Sequence, residues 1–273
     1  MTAIGSVTAA NGSGLQALKL TLWGIYAVWS RHAKIYQRTW LVNCLPPLLE
    51  PVIYLVAFGY GLAPLIQTID YLGRPVPYLS YIAPAMIGVG LLFQSFFEGA
   101  YGSFNRLHYQ KTWQAVLTTP VSFMEIFIGE WLWAASKGMI VGTVTGLMTV
   151  LLGLHSLPNF LLSVPFMLLG ALIFGGIGIL TASCIATVDQ VSVVTFLIIV
   201  PMFTLCGTYF PRANLPVPLQ IIAKFLPLSA VVDLLRWHLG LPDGWWLGLL
   251  WLLVLLIAIG YGSARMIHRQ VIH

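Results

Sequence analysis

Few side chains in this sequence could carry out chemistry, and those few are dispersed along apolar stretches. Glu50 falls near the middle of one stretch, where a carboxylate is costly unless it is paired or faces a polar cavity. Glu98, Glu130 and Lys137 lie closer to the ends of theirs. Proton-coupled transporters usually use more buried titratable groups than these, so the sequence indicates no energy source of its own. Glu50 fits either a substrate path or a role in satisfying backbone donors freed by nearby prolines.

Motifs for catalysis and metal binding are missing from the sequence. It contains no G-x-x-x-x-G-K-[ST] phosphate-binding loop, no H-E-x-x-H and no G-x-S-x-G. The three cysteines lack pair spacing and the histidines are scattered, so we predict no metal site. We therefore expect the chain to be neither an enzyme nor the holder of a cofactor.

The composition indicates a polytopic membrane protein. Of 273 residues, 59% are hydrophobic and 8% are charged, whereas soluble domains carry about 25% charged residues. The 10 Trp and 11 Tyr suit aromatic belts at two membrane interfaces. The net charge of +5 is small, and basic residues beside apolar spans set orientation. We therefore expect membrane lipids and no nucleic acid among its partners.

Hydropathy predicts an all-α fold with six transmembrane helices. About 20 apolar residues cross a bilayer core. The predicted spans are 39–61, 80–101, 133–152, 160–186, 191–209 and 245–264. They form one transmembrane domain, residues 15–264, between a disordered tail at 1–14 and a second tail at 265–273. Ala63–Leu79 is predicted to be a loop.

The first predicted element is an amphipathic helix at Leu15–Arg38. Its apolar residues recur at three- and four-residue steps, and its basic residues lie largely off that stripe. Such a helix lies in the membrane surface. The residues that we assign to this interfacial role are Trp29, Arg31, Lys34 and Arg38. The alternative is that the segment forms the first turns of a spanning helix.

The segment Gln110–Lys137 lies between the second and third predicted spans. Lys111–Thr119 is predicted to form about two turns of helix, which end at Pro120 because proline lacks an N–H. The rest mixes carboxylates with indoles, which is typical of a membrane interface. A short helix held there could be contacted by a soluble partner. An ordinary interfacial loop without a partner explains these residues equally well.

The segment Phe210–Gly244 is too polar and rich in proline to span, yet apolar enough to stay in the membrane. Proline and glycine divide it into two short helices, Ile221–Leu226 and Ser229–Leu239. We predict a pair of half-helices that enters from one face. Asp233 and Arg236 are three residues apart, a spacing that suits an ion pair.

Basic residues predict the orientation. Six spans place both termini on one side, together with Gln110–Lys137. That side carries eight Lys and Arg residues near span ends, against four on the other. We therefore predict that the termini and Gln110–Lys137 are cytoplasmic, and that the half-helices lie on the far side.

The order of these elements resembles the ABC-2 type permeases, the membrane subunits of ABC exporters. Three segments are similar to the nodulation protein J subfamily, which is associated with export of lipo-chitooligosaccharides. They are Glu50–Gly61, Gln110–Lys137 and Phe210–Arg236. The resemblance covers nearly the whole chain.

The resemblance implies a permease homodimer in the inner membrane, docked on two copies of a separate ABC ATP-binding subunit that binds ATP and Mg. Gln110–Pro120 would be the coupling helix, and Leu15–Arg38 the interface helix beside it. The coupling residues implied are Gln110, Lys111, Thr112, Trp113, Leu117, Thr118 and Pro120, with Trp113 and Leu117 as apolar anchors on the ATPase.

The implied function is export of an amphipathic substrate: a lipo-oligosaccharide, glycolipid or polysaccharide. Efflux of hydrophobic drugs is the alternative within the family, and a channel or a membrane-embedded transferase is the alternative outside it. The residues that we predict to line or gate the path are Glu50, Tyr54, Phe58, Phe93, Phe97 and Phe203, together with Phe96. Each aromatic suits a packing or lipid-facing position equally well.

Overall fold

The computed structural model describes residues 7–272, with side chains from residue 22 onward except those at 44, 46–48, 50, 51, 271 and 272. The chain is mostly helical. The helices before the bundle are α1 (Val7–Arg38), α2 (Trp40–Ala57) and α3 (Ala63–Ile66), with a wide π-type turn at Phe58–Leu62 between the last two. Helix α1 begins before the predicted boundary at Leu15, and residues 1–6 of the predicted tail lie outside the described residues.

Two short strands correct the all-α prediction. β1 (Thr68–Tyr71) and β2 (Arg74–Pro77) pair antiparallel within the segment predicted to be a loop. Leu72 and Gly73 join them, both with positive φ, which is the geometry of a tight hairpin turn. Tyr71 and Val76 point inward and are buried. The sequence signal was weak because only four residues form each strand and two prolines interrupt β2.

Helices long and apolar enough to cross a membrane number four among the described residues. They are α4 with its wide-turn continuation (Tyr78–Tyr109), α6 (Phe123–Leu151), α7 (Leu157–Cys184) and most of α12 (Trp245–Ile272). Four predicted spans therefore have a counterpart. The predicted first and fifth spans correspond to shorter apolar helices, Val52–Ile66 and Gln190–Leu205. The count of six stays a prediction.

The remaining helices are short. α5 (Thr112–Leu117) joins α4 to α6, and α8 (Gln190–Val194) continues through a wide turn at Thr195–Ile199 into α9 (Val200–Leu205). α10 (Val217–Phe225) and α11 (Pro227–Leu235) meet at an angle of 81°. The predicted break between two half-helices is therefore present, and Pro227 stands at it. Two single 3₁₀ turns lie at Arg212–Asn214 and Trp237–Leu239.

Helices α4, α6 and α7 form the centre of the fold, with α11 and α12 packed against them. Glycines permit this close approach. A Cβ placed on Gly99 would lie 2.4 Å from the carbonyl oxygen of Gly175, and one on Gly178 would lie 2.4 Å from that of Phe96. In α6, Gly138, Gly142 and Gly146 recur every four residues, a spacing that predicts a helix-packing face. This face packs inside the chain, because a Cβ on Gly138 would meet Ser95 of α4.

Candidate functional site

The connection between α4 and α6 forms a short projecting helix, α5, at one end of the bundle. Lys111 takes a left-handed conformation, with φ of 50°, and turns the chain into α5. After Leu117, the hydroxyls of Thr118 and Thr119 donate hydrogen bonds to the carbonyls of Ala115 and Val116, at 2.8 and 2.6 Å. Pro120 follows. Helix α5 thus lies within the predicted range Lys111–Thr119.

Trp113 faces the interior of this chain. Its side chain is 1% exposed and packs against Phe123, with ring centroids 5.9 Å apart. It belongs to an apolar cluster supplied by α1, α6, α7 and α12, whose members include Val28, Phe127 and Ile267. This position corrects the predicted role of Trp113 as an anchor on a partner. Periodicity could not decide its direction, because a six-residue helix has no second turn to define its apolar face.

The outward face of the α5 segment consists mostly of uncharged side chains, with Lys111 as its one charged residue. Its exposed residues are Gln110, Lys111, Gln114, Ala115, Thr118, Thr119 and Pro120. Of the other predicted coupling residues, Thr112 and Leu117 are half-buried. A partner that meets this end of the molecule would touch Gln114 and Ala115, which the sequence analysis did not select.

A buried network of charges lies at the same end of the bundle as α5, and we call it the charge network. Arg106 of the α4 continuation contacts Glu98 at 2.9 Å and Glu130 of α6 at 2.7 Å. Lys137 contacts Glu98 at 2.7 Å, and His32 of α1 contacts Glu130 at 3.0 Å. Removing one partner of such a pair leaves a buried charge uncompensated. The network therefore holds α1, α4 and α6 in a fixed relation at this end.

The charge network shows where the carboxylates and indoles of Gln110–Lys137 point. Glu125, Glu130 and Trp133 are buried inside the protein in the first turns of α6, and the predicted position of this stretch at a membrane interface stays a prediction. Ser122 and Glu125 form a capping box at the start of that helix, which fixes where it begins. Trp133 donates a hydrogen bond to Glu98 at 2.9 Å. Sequence spacing showed the charges but could not pair side chains on different helices.

Helix α1 lies along the first half of α6. A Cβ on Gly129 would lie 2.7 Å from Val28, so the glycine permits the contact. Trp29 donates a hydrogen bond to Ser136 at 2.9 Å. Of the predicted interface residues, Lys34 and Arg38 are exposed, while Trp29 and Arg31 are half-buried. The outer side of α1 is apolar, and its exposed large residues are Leu22, Trp23, Tyr26 and Ile35.

The predicted path aromatics form one continuous row, which we call the aromatic ladder. It consists of Tyr54, Phe58, Tyr209, Phe203, Phe93 and Phe97, all half-buried. Successive ring centroids along that order lie 5.0 to 6.0 Å apart. The ladder runs from α2 across α9 to α4. Tyr209 was not among the predicted path residues, and the side chain of Glu50 lies outside the described side chains. Phe96 is buried in the core instead.

The half-helices are tied to α4 by Arg236 rather than by the predicted pair. Arg236 is 2% exposed, lies 3.7 Å over the ring of Tyr81, and donates hydrogen bonds to the carbonyls of Tyr81 and Gly207, each at 3.0 Å. Asp233 accepts instead from Arg212, at 2.7 Å. The predicted Asp233–Arg236 pair is therefore wrong, because each side chain has a nearer partner off the helix.

Two histidines stack at the end of the bundle opposite α5. The ring centroids of His155 and His238 are 4.2 Å apart, and His155 is 4% exposed. Burial lowers the pKa of both, and that of His238 falls to about 4 because the neighbouring His155 adds to the effect. Burial also raises the pKa of nearby Tyr71 to about 12. Among the described residues, no three His, Cys, Asp or Glu side chains are placed to hold a metal ion.

The family of this chain follows from comparison with known proteins. The sequence pattern of the family described as ABC-2 type transporter matches residues 24–240. The chain belongs to the ABC-2 type transporter family. Nodulation protein J of Rhizobium leguminosarum bv. viciae is 34% identical over 77% of this chain and 80% of that protein. Nodulation protein J of Rhizobium leguminosarum bv. trifolii is 32% identical over 85% and 84%. The inner membrane transport permease YadH of Escherichia coli K12 is 21% identical over 80% and 83%.

Membership of the ABC-2 type transporter family gives this chain its general role. It is a multi-pass membrane permease of an ABC exporter, a transport subunit. The comparisons confirm the family that the sequence resemblance indicated. The matched residues include the second half of α1 from residue 24 onward, the charge network, α5, the aromatic ladder and both half-helices. These are therefore parts of the ABC-2 domain itself.

Proposed function

We propose that this permease exports an amphipathic substrate as a homodimer driven by two copies of a separate ABC ATPase, which binds ATP and Mg. The observation that carries the proposal is helix α5, a short helix with a mostly uncharged outward face, fixed from behind by buried Trp113. Such a face can enter a cleft on a soluble protein. The proposal places α5 and both termini on the cytoplasmic side of the inner membrane.

The contacts behind α5 supply a route for movement. Trp113 joins α5 to the apolar cluster of α1, α6, α7 and α12, and the charge network joins α4 to α1 and α6. A displacement of α5 by the ATPase would therefore move several helix ends together. The energy is the difference in affinity of the ATP-closed ATPase for two permease conformations.

The aromatic ladder is our candidate for the substrate path. Its rings are half-buried in one chain and lie between α4 and the loosely packed helices α2 and α9. In a dimer that brings two ladders face to face, the rings would line a shared apolar path. Movement of α2 or α9 would open it.

The proposed substrate class is a lipo-oligosaccharide, glycolipid or polysaccharide, on the similarity to nodulation protein J. Hydrophobic-compound efflux is the second candidate, because four of the six ladder residues are phenylalanines that offer no hydrogen bond. The rate of ATP hydrolysis by the purified permease and its ATPase distinguishes the two substrate classes. A lipo-oligosaccharide should stimulate ATP hydrolysis if the first is right, and only hydrophobic drugs should do so if the second is right.

The first experiment is a gentle detergent pull-down with mass identification of what copurifies. A stoichiometric ATP-binding protein is expected. The variant Ala115→Glu places a charge on the outward face of α5 and should release that protein, while the matched variant Ala213→Glu, at an exposed alanine in the far 3₁₀ turn, should retain it. Retention by both variants, or no ATPase with intact wild-type protein, contradicts the proposal.

A further inference from the structure

A polar cavity of about 370 Å³ opens where α1 meets the bases of α4 and α6. Its charged walls come from Arg31, Glu98, Arg106 and Lys137. Its neutral polar walls include Thr39, Asn43, Asn105, Gln110 and Thr112. The cavity thus offers many hydrogen-bonding groups around a few charges. Water alone or a polar ligand group could fill such a volume.

The charges around this cavity do not cancel. Arg106 and Lys137 are matched by the carboxylates of Glu98 and Glu130. Arg31 is the additional cation, and within the described part of the chain no carboxylate lies within 4.0 Å of it. Its Nε is buried and has no hydrogen-bond acceptor there. The cavity therefore has one positive charge to spare and a buried donor without a partner.

The pKa of Arg31 reflects this position. Burial lowers it below its ordinary value, and the charge of Arg106 lowers it further, while Glu130 acts in the opposite direction. The negative charge of a bound anion would offset the burial and the repulsion from Arg106, which both disfavour the charged form of Arg31. Arginine suits a phosphate in particular, because its planar guanidinium matches two phosphate oxygens.

An apolar groove of about 420 Å³ adjoins the polar cavity. The two share Tyr36 and Trp133 as a common wall. The rest of the groove is lined by Trp29, Ala33, Gln37, Trp40, Ser136 and Ile140. Polar and apolar compartments side by side match a molecule with an anionic head and a hydrocarbon tail.

We propose that the cavity and groove together bind one anionic phospholipid, with its phosphodiester on Arg31 and an acyl chain in the groove. An anionic headgroup such as that of phosphatidylglycerol carries the single negative charge of its phosphodiester and no cation, which matches the one uncompensated cation, whereas choline would bring a positive charge beside Arg31. A free phosphate or a nucleotide would bring more negative charge toward Glu98 and would leave the groove empty. The lipid would lie between α1 and the bases of α4 and α6, so it would support the packing of α1.

The test is lipid binding by the purified full chain in detergent, measured by native mass spectrometry. The probe is dioleoyl-phosphatidylglycerol, compared with dioleoyl-phosphatidylcholine and with excess inorganic phosphate as competitor. We expect one phosphatidylglycerol to be retained in preference to phosphatidylcholine, and phosphate not to displace it. Quenching of tryptophan fluorescence by brominated phosphatidylglycerol gives a second measurement, because Trp29, Trp40 and Trp133 line the groove.

Variants separate the two halves of the site. Arg31→Gln should weaken phosphatidylglycerol binding about tenfold, the loss expected for one charge-assisted hydrogen bond. Arg31→Lys should restore part of it, and Ala33→Trp should block the groove. Arg74→Gln, at an exposed arginine of the hairpin, is the matched control.

Three results would overturn the proposal: equal binding of phosphatidylcholine, displacement by inorganic phosphate, or equal binding by the Arg31→Gln and Arg74→Gln proteins. If Arg31→Gln does not fold, the Ala33→Trp variant and the competition experiment still decide. The measurement needs no ATPase, so its failure would leave the proposed transport function untouched, and loss of the ATPase would leave this site untouched.

Discussion

The two sides of this permease are packed in opposite ways. In the centre, α4, α6 and α7 approach so closely that glycine backbones touch, and Leu91, Leu92 and Phe174 are fully buried. On the other side, the segment from α8 to α9 leaves Phe196 and Leu197 73% exposed. The central helices can transmit a displacement because they cannot deform easily. The outer helices have few contacts to break, so they are the elements that can move or meet a second copy.

Residue types explain the contrast. The centre has glycines where helices cross, such as Gly99 against Gly178. The outer side has a proline, Pro201, two residues after the wide turn at Thr195–Ile199. Proline removes one helical hydrogen bond and favours local widening. Local irregularity alone does not separate the two sides, because Gly99 itself lies in the wide turn Glu98–Gly102 that continues α4. The difference is in the glycine contacts, which draw the central helices together.

The largest effect should come from enlarging a glycine in the centre. Gly178→Val places a side chain where even a Cβ lies 2.4 Å from the carbonyl of Phe96. The helices must separate, at a cost of more than about 4 kcal/mol. Gly262→Val is the matched control, because its nearest neighbour lies 4.0 Å away. Thermal unfolding in detergent should show loss of folded protein only for the first. Equal Tm values would mean that the α4–α7 contact is not tight.

The second effect concerns Trp113. Truncation to alanine removes a buried ring from the cluster behind α5 and should cost about 3–5 kcal/mol. Trp246→Ala is the control, since that side chain is 54% exposed. The measurement is Tm of each variant without any partner. If the Trp113→Ala protein is as stable as the control but has lost the ATPase, Trp113 contacts the partner after all, as the sequence suggested.

The third prediction addresses the loose side. Phe203→Ala should cost only about 1–2 kcal/mol, because the ring is half-buried and its partners Phe93 and Tyr209 keep other neighbours. Export and substrate-stimulated ATP hydrolysis should nevertheless fall sharply if the aromatic ladder lines the path. Phe196→Ala, on the same segment but outside the ladder, should leave both unchanged. Normal transport by the Phe203→Ala protein would remove the ladder from the mechanism.

Patterns within one element were readable from the sequence. Apolar length predicted six spans, of which four correspond to long helices. Proline predicted the break before Pro227, and the spacing of Gly138, Gly142 and Gly146 predicted a packing face. Contacts between elements were not readable. Arg106 is followed by no carboxylate at helical spacing, so nothing in the sequence pairs it with both Glu98 and Glu130. The pair Asp233–Arg236 was predicted because spacing reveals only partners on the same helix. In the fold, Asp233 instead pairs with Arg212, which is distant in sequence.

The smallest expected effect is the pH dependence of stability that comes from the stacked histidines, His155 and His238, at the end opposite the charge network. Their folded-state pKa values lie below the ordinary value of 6.5, that of His238 at about 4. Below pH 6.5 the unfolded chain therefore binds protons that the folded chain refuses, and stability is lost as the pH falls toward 4. No carboxylate contributes to either shift, and Arg236 adds to that of His238.

Tm should accordingly decrease between pH 7 and pH 5, a window above most carboxylate titration. His238→Gln should flatten this dependence because it removes the group whose protonation is most disfavoured. His108→Gln, at an exposed histidine next to α5, should keep the wild-type slope. If His238→Gln and wild type lose the same Tm on acidification, the titrating group lies elsewhere in the chain. If Tm decreases only in the wild type and the His108→Gln control, protonation destabilises the end of the bundle that holds His155 and His238 and leaves the α5 end intact.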